Sequence, residues 1–205
     1  IMNLKKHLDR AEQALEKGQS DFAAELCDQV LDFAPGDQRA ANLLAQAVLD
    51  SAGEKSKFLG KISSGPASIA AKFQKLIRNP DGEARSMRRS FMRDAHSIDK
   101  GISWADALER AGYAGAALGV YSALSSHSGT AARAAGDLSA AQGNIQDALD
   151  HYQKALDINP RDTAAMRSRK NLAAEQALQS KQYSDESASG LDTDAFRRAA
   201  LGEDS

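Results

Sequence analysis

Apolar residues along this chain recur at helical spacing, and glycine or proline punctuates each run. Over residues 129–162, Ala148, Tyr152 and Ala155 fall at i, i+4 and i+7, one face of a helix. Gly136 stands inside a preceding helix, where glycine costs about 1 kcal/mol relative to alanine. Such a residue needs a packing reason, here close approach of the second helix. Gly143 supplies the positive φ that ends the first helix, and Asn144 can cap the second. Pro160 closes the unit, with Asn159 pushed away from helical geometry before it. The stretch therefore predicts two short antiparallel helices joined by a tight turn.

The theme recurs over residues 4–37, where Gly18, Ala23, Cys27, Val30 and Pro35 take the same places. Gly18 to Pro35 and Gly143 to Pro160 are both 17 residues apart. Gly112, Ala117 and Tyr121 repeat the glycine–small–aromatic spacing without the closing proline. Between these units, Ala41, Leu44 and Val48 share one face of a helix over 37–50. Residues 51–65 are polar, glycine-rich and basic, and read as a long loop. Pro66 opens a helix with Ile69, Phe73 and Leu76 on one side, and Asn79-Pro80-Asp81-Gly82 stops it. A helix over 83–96 places Ala84, Met87 and Phe91 together, and 97–102 reads as a loop. Ser103 and Asp106 form a capping-box-like start for a short helix to Ala111, with Trp104 as a core anchor. Residues 114–125 form another helix, 162–181 a long one, and 182–205 an acidic, mostly disordered tail with a short helix at 193–201.

The stretch 129–162 closely resembles a tetratricopeptide repeat, the 34-residue helix–turn–helix unit. Gly136, Gly143, the Ala148–Tyr152–Ala155 face and Pro160 match its pattern, whereas Ala132, Ala135 and Ser139 stand where larger residues are usual. The resemblance implies an all-α fold, a right-handed α-solenoid of helix–turn–helix repeats with a C-terminal capping helix. The organisation expected is an N-terminal repeat and following helix over 1–50, a basic loop over 51–65 and irregular middle repeats over 66–128. A repeat with its capping helix over 129–181 and the tail over 182–205 complete it. The implied function is a non-catalytic scaffold or adaptor that holds a partner protein or peptide in the solenoid groove. Matching groove positions are Arg39, Asn42, Gln46, Arg133, Asp137, Arg167 and Asn171. Arg167 and Asn171 resemble half of a clamp that some family members close on a C-terminal carboxylate, but Asp137 stands where an asparagine would complete it.

Composition narrows the chemistry. Hydrophobic residues make up 42% of 205 and aromatics only 5%, a balance that suits closely packed helices better than a β-sandwich. No apolar run is long enough to cross a membrane, no signal-peptide core is visible, and a cytoplasmic protein is the default expectation. Cys27 is the only cysteine, which rules out an intrachain disulfide and points to a core thiol. His7, His96, His127 and His151 form no metal motif, and Asp147 with His151 reads as a surface hydrogen bond. Gly53 to Ser63 imitates a phosphate loop, but Ile62 stands where a hydroxyl must reach magnesium. No catalytic set, cofactor or metal is expected.

Charge is uneven although the net is −2. Residues 1–54 carry 5 basic and 10 acidic groups, and residues 55–110 carry 12 and 6. One reading of the middle band makes Lys72, Lys75, Arg85, Arg88, Arg89 and Arg93 a patch for an acidic peptide, phosphate or nucleic acid. The other, favoured here, is solvated helix faces that pair with the acidic N-terminal repeat. The absence of interleaved aromatics speaks against nucleic acid. Self-association through the irregular middle or the C-terminal segment is a third expectation.

Overall fold

The structure, a computed structural model, describes residues 3–55 and 79–201. Among them are nine helices and no strand. They are α1 (Leu4–Glu16), α2 (Ser20–Phe33), α3 (Gln38–Lys55), α4 (Pro80–Arg93), α5 (Ile98–Arg110), α6 (Ala114–Leu124), α7 (Gly129–Ala141), α8 (Ile145–Ile158) and α9 (Thr163–Leu201). The 51–65 loop, the 66–78 helix and Lys72 and Lys75 of the basic band lie outside the described residues, apart from residues 51–55, which extend α3.

Three hairpins share one design. Gly18, Gly112 and Gly143 carry φ of 71°, 86° and 79° and turn α1 into α2, α5 into α6 and α7 into α8. In the last two, the aromatic nine residues after the glycine reaches back to an acid six residues before it. The Tyr152 hydroxyl donates to Asp137 at 2.7 Å, and the Tyr121 hydroxyl lies against Asp106 and Glu109. Burial first, and then Asp137, push the Tyr152 phenol up to about 12. Gly136 has the packing reason its position requires: a Cβ there would lie 2.6 Å from the Tyr152 ring.

Helix starts correct part of the expected middle. Ser97 caps α5 by accepting from the Lys100 amide, so 97–102 is mostly helix rather than loop. Ser103 and Asp106 lie inside that helix, and Asp106 serves Tyr121 instead of a cap. Asn79 accepts from the Gly82 amide with Pro80 in the first turn, so the Asn-Pro-Asp-Gly run starts α4. The closing helix runs to Leu201, some twenty residues past its expected end at 181. Its only glycine is Gly190 and it contains no proline, so nothing in its sequence forbids continuation.

Neighbouring helices pack in the order α1–α2–α3–α6–α7–α8–α9, with α5 against α6 and α4 against α5. The α3–α6 contact joins residues far apart in sequence. Gly36 meets Tyr113, Gln38 meets Gly115, and Asn42 meets Gly119, a constant offset of 77, so the two helices run parallel. They approach so closely that a Cβ on Gly119 would lie 2.5 Å from the Gln38 carbonyl oxygen. The main core lies between α2, α3, α5 and α6 and includes Leu31, Leu44, Trp104, Leu108, Val120 and Leu124. Phe91 of α4 lies 6.4 Å from the Trp104 ring and closes that core. A smaller cluster of Ala132, Ala148, Tyr152, Ala155 and Ala165 holds α7, α8 and α9.

Candidate functional site

The spacing of α1 puts Asp9, Glu12 and Glu16 at i, i+3 and i+7, one face of the helix. Arg39, Asn42 and Gln46 of α3 share a face in the same way, with Asp50 one turn further. A depression of about 360 Å³ separates the two ridges, lined by Glu12, Leu15, Glu16, Arg39, Asn42, Leu43 and Gln46. All three residues expected to bind from α3 are thus brought to one surface hollow.

Their partners define what remains available. Arg39 donates to Asp9 at 2.9 Å and to Glu12, and these bonds raise its already high pKa. Asn42 donates to the Gly119 carbonyl at 2.8 Å, which pins α3 to α6, and accepts from Gln46 through its amide oxygen. Among the described residues, Gln46 has no other partner for its carbonyl oxygen or its second amide hydrogen. Glu16 is exposed and has no ion-pair partner within reach among the described residues.

The other expected groove residues are placed elsewhere. Arg133 of α7 holds both oxygens of Asp162 at 2.8 and 2.9 Å, at the start of α9. Asp162 also caps α9 through the Ala165 amide, and that bond, with Arg133, holds its carboxyl below the usual range despite burial. Asp137 is engaged by Tyr152. Arg167 and Asn171 stand exposed one turn apart on α9, and Asp137 gives this end no asparagine for a carboxylate clamp. Arg133 also lines a second depression with Gly129, Thr130, Asn159 and Arg161.

The basic band is largely neutralised where the structure describes it. Arg88 is buried and bonds Asp28 at 2.6 Å and Asp32 at 2.5 Å. Arg85 reaches Asp32 at 2.8 Å and Arg89 reaches it at 3.1 Å. Partial burial opposes ionisation of Asp32, but the Arg88 hydrogen bond and the charges of Arg88 and Arg85 outweigh it and hold its pKa low. Arg93 is exposed. The physical reason is geometric: α4 lies across the acidic side of α2, so Arg85, Arg88 and Arg89 meet carboxylates. A hollow beside this network is walled by Leu31, Pro35, Trp104 and Leu108.

Two single residues complete the survey. Cys27 is fully buried, and burial, with Asp37 nearby, pushes its thiol up to about 12, so it is a packing residue. His151 is half-buried and faces Ser122 of α6 at 3.5 Å rather than making the expected bond to Asp147. Burial, and then Lys154, lower its pKa against the opposing pull of Asp147 and Asp150. Sequence reasoning missed Glu12, Leu15, Glu16 and Leu43 of the hollow. The signal was present in the acidic spacing of α1, but only the α1–α3 contact shows that it faces Arg39.

The fold is an all-α solenoid of helix–turn–helix repeats. Residues 130–162 match the tetratricopeptide repeat family, and this chain carries that repeat. Among solved structures it is similar to YrrB, a TPR protein with an unusual peptide-binding site, at 17% identity and a TM-score of 0.44, over 80% of this chain and 90% of that chain. The comparison with curated proteins finds no match. No helix among the described residues is long and apolar enough to cross a membrane.

Proposed function

We propose that the chain is a non-catalytic scaffold that holds an extended segment of a partner protein in the hollow between α1 and α3. Proteins built from this repeat are generally scaffolds, and the hollow has the makings of a peptide site. Leu15 and Leu43 offer apolar contact, and Gln46 offers an amide that can pair with a peptide backbone. The observation that carries the reading is the convergence of Arg39, Asn42 and Gln46 on one lined depression.

Photo-crosslinking tests it. A benzophenone amino acid placed at Gln46, and separately at Glu25 on the outer side of α2, is exposed to an array of ten-residue peptides. Crosslinking from position 46 and none from position 25 is the expected result. Equal labelling from both, or none from either, removes the site, and measured substrate turnover by the purified chain removes the non-catalytic role.

A further inference from the structure

We infer that the segment taken up between α1 and α3 is cationic, an extended peptide bearing lysine or arginine side chains. The inference rests on the peptide-binding reading above and adds the chemical class of the ligand. It follows from a balance of charge at the hollow. The one cation in the lining among the described residues, Arg39, is already spent on Asp9 and Glu12 of the same protein. The pairing leaves one negative charge in excess from those three groups. Glu16 adds a second on the rim, and Asp50 continues the α3 ridge with a third.

The residues that lie deeper carry no charge to offset this. Leu15 and Leu43 are apolar, and Asn42 and Gln46 are neutral amides bonded to each other. An acidic segment would meet carboxylates with no free guanidinium among the described lining residues to receive it, and like-charge contact weakens binding. A basic segment would lay its aliphatic stems on Leu15 and Leu43 and bring its charged ends to Glu12, Glu16 and Asp50. The arrangement is the reverse of a carboxylate clamp, in which cations would be unpaired and facing inward. Three arginines of α4 offer less to a ligand, since Arg85, Arg88 and Arg89 are paired with Asp28 and Asp32.

The test uses the full chain and three fluorescein-labelled ten-residue peptides. Each has leucine at every third position, and the remaining positions are lysine and alanine, glutamine and alanine, or glutamate and alanine. Fluorescence anisotropy at about 50 mM salt is expected to rank lysine first, with the lysine peptide weakening as salt rises. Glu16→Gln should weaken the lysine peptide about threefold, and Glu12→Gln with Glu16→Gln about tenfold. Glu25→Gln, an equal loss of charge on α2 outside the hollow, should leave it within experimental error. An equal loss for Glu25→Gln and Glu16→Gln would show a diffuse field and overturn the inference. So would glutamine or glutamate peptides that bind as well as lysine; if Gln46→Ala weakens those, the groove stands and only its charge preference falls. If no peptide binds, the peptide-binding reading falls with it. Circular dichroism of each variant separates loss of binding from loss of fold.

Discussion

At the scale of single residues, glycine carries three separate jobs that substitution can tell apart. Gly136 is held against the Tyr152 ring, whose Cε1, Cδ1 and Cζ atoms would lie 2.6, 2.7 and 3.1 Å from an added Cβ. Gly136→Ala gains about 1 kcal/mol of helix propensity but must displace a buried ring, and overpacking costs about 1–3 kcal/mol. The expected net effect is a loss of about 1 kcal/mol, read from the denaturant midpoint. Gly53 near the end of α3 meets nothing within 4 Å among the described residues, so Gly53→Ala should instead raise stability by about 0.5 kcal/mol. Gly112, by contrast, also has open space around it, but its φ of 86° makes it a turn residue. The first and third jobs were legible in the sequence, because a mid-helix glycine and a glycine between apolar runs are both anomalies. The acid that each tyrosine reaches was not, since Asp106 and Asp137 read as ordinary surface charges until the hairpin closes.

At the scale of helices, the junction of α2 and α4 is electrostatic. Arg88 is only 4% exposed and serves two carboxylates, whereas Arg89 is 40% exposed. Arg88→Met is expected to cost about 2 kcal/mol, the scale of a lost hydrogen bond to a charged group. Arg89→Met should cost about 0.5 kcal/mol or less. The same network sets an acid limit. Asp32 has a pKa below its unfolded value, so the unfolded chain takes up this proton first as pH falls. The stability it contributes is whole above about pH 5 and is lost as pH falls below about 4, and Asp162 acts in the same sense. Melting temperatures between pH 5 and pH 2 should therefore fall less steeply for Asp32→Asn than for the parent. The charge map of the sequence contained the two sides of this junction, the acidic N-terminal repeat and the basic middle. The start of α5 was misplaced because Ser97 and Ser103 are both plausible caps, and the core packing of Trp104 and Phe91 favours the earlier one.

At the scale of the whole molecule, repetition is regular at the two ends and broken in the middle. In a solenoid of helix–turn–helix repeats each unit stacks on the next in sequence. It does so for α7, α8 and α9, but α3 lies along α6 instead, where Gly115 and Gly119 let the backbones meet. That pairing was hidden because small residues in α6 are also what a hairpin partner requires. The last helix is the other departure. Its Ala165 is buried and Leu172 half-buried against the preceding hairpin, but from Ala177 to Ala188 every side chain is exposed. Truncation after Gln179 should leave the melting temperature of the rest within about 1 °C, because the described side chains beyond it are exposed and such a stretch adds little. A fall of several degrees in a thermal melt would show that the overhang is clasped by the body.

The parallel seam between α3 and α6 has a consequence for how the protein is made. The face of α3 that carries Gln38 and Asn42 emerges from a ribosome well before residues 114–124 exist to cover it. At about 5–20 residues per second, the intervening stretch takes several seconds to synthesise. A nascent chain at that stage holds α1 to α3 with one flank bare, an opening for holdase chaperones and for misassembly between neighbouring polypeptides. The repeats at the C-terminal end, whose partners are adjacent in sequence, have no such waiting time.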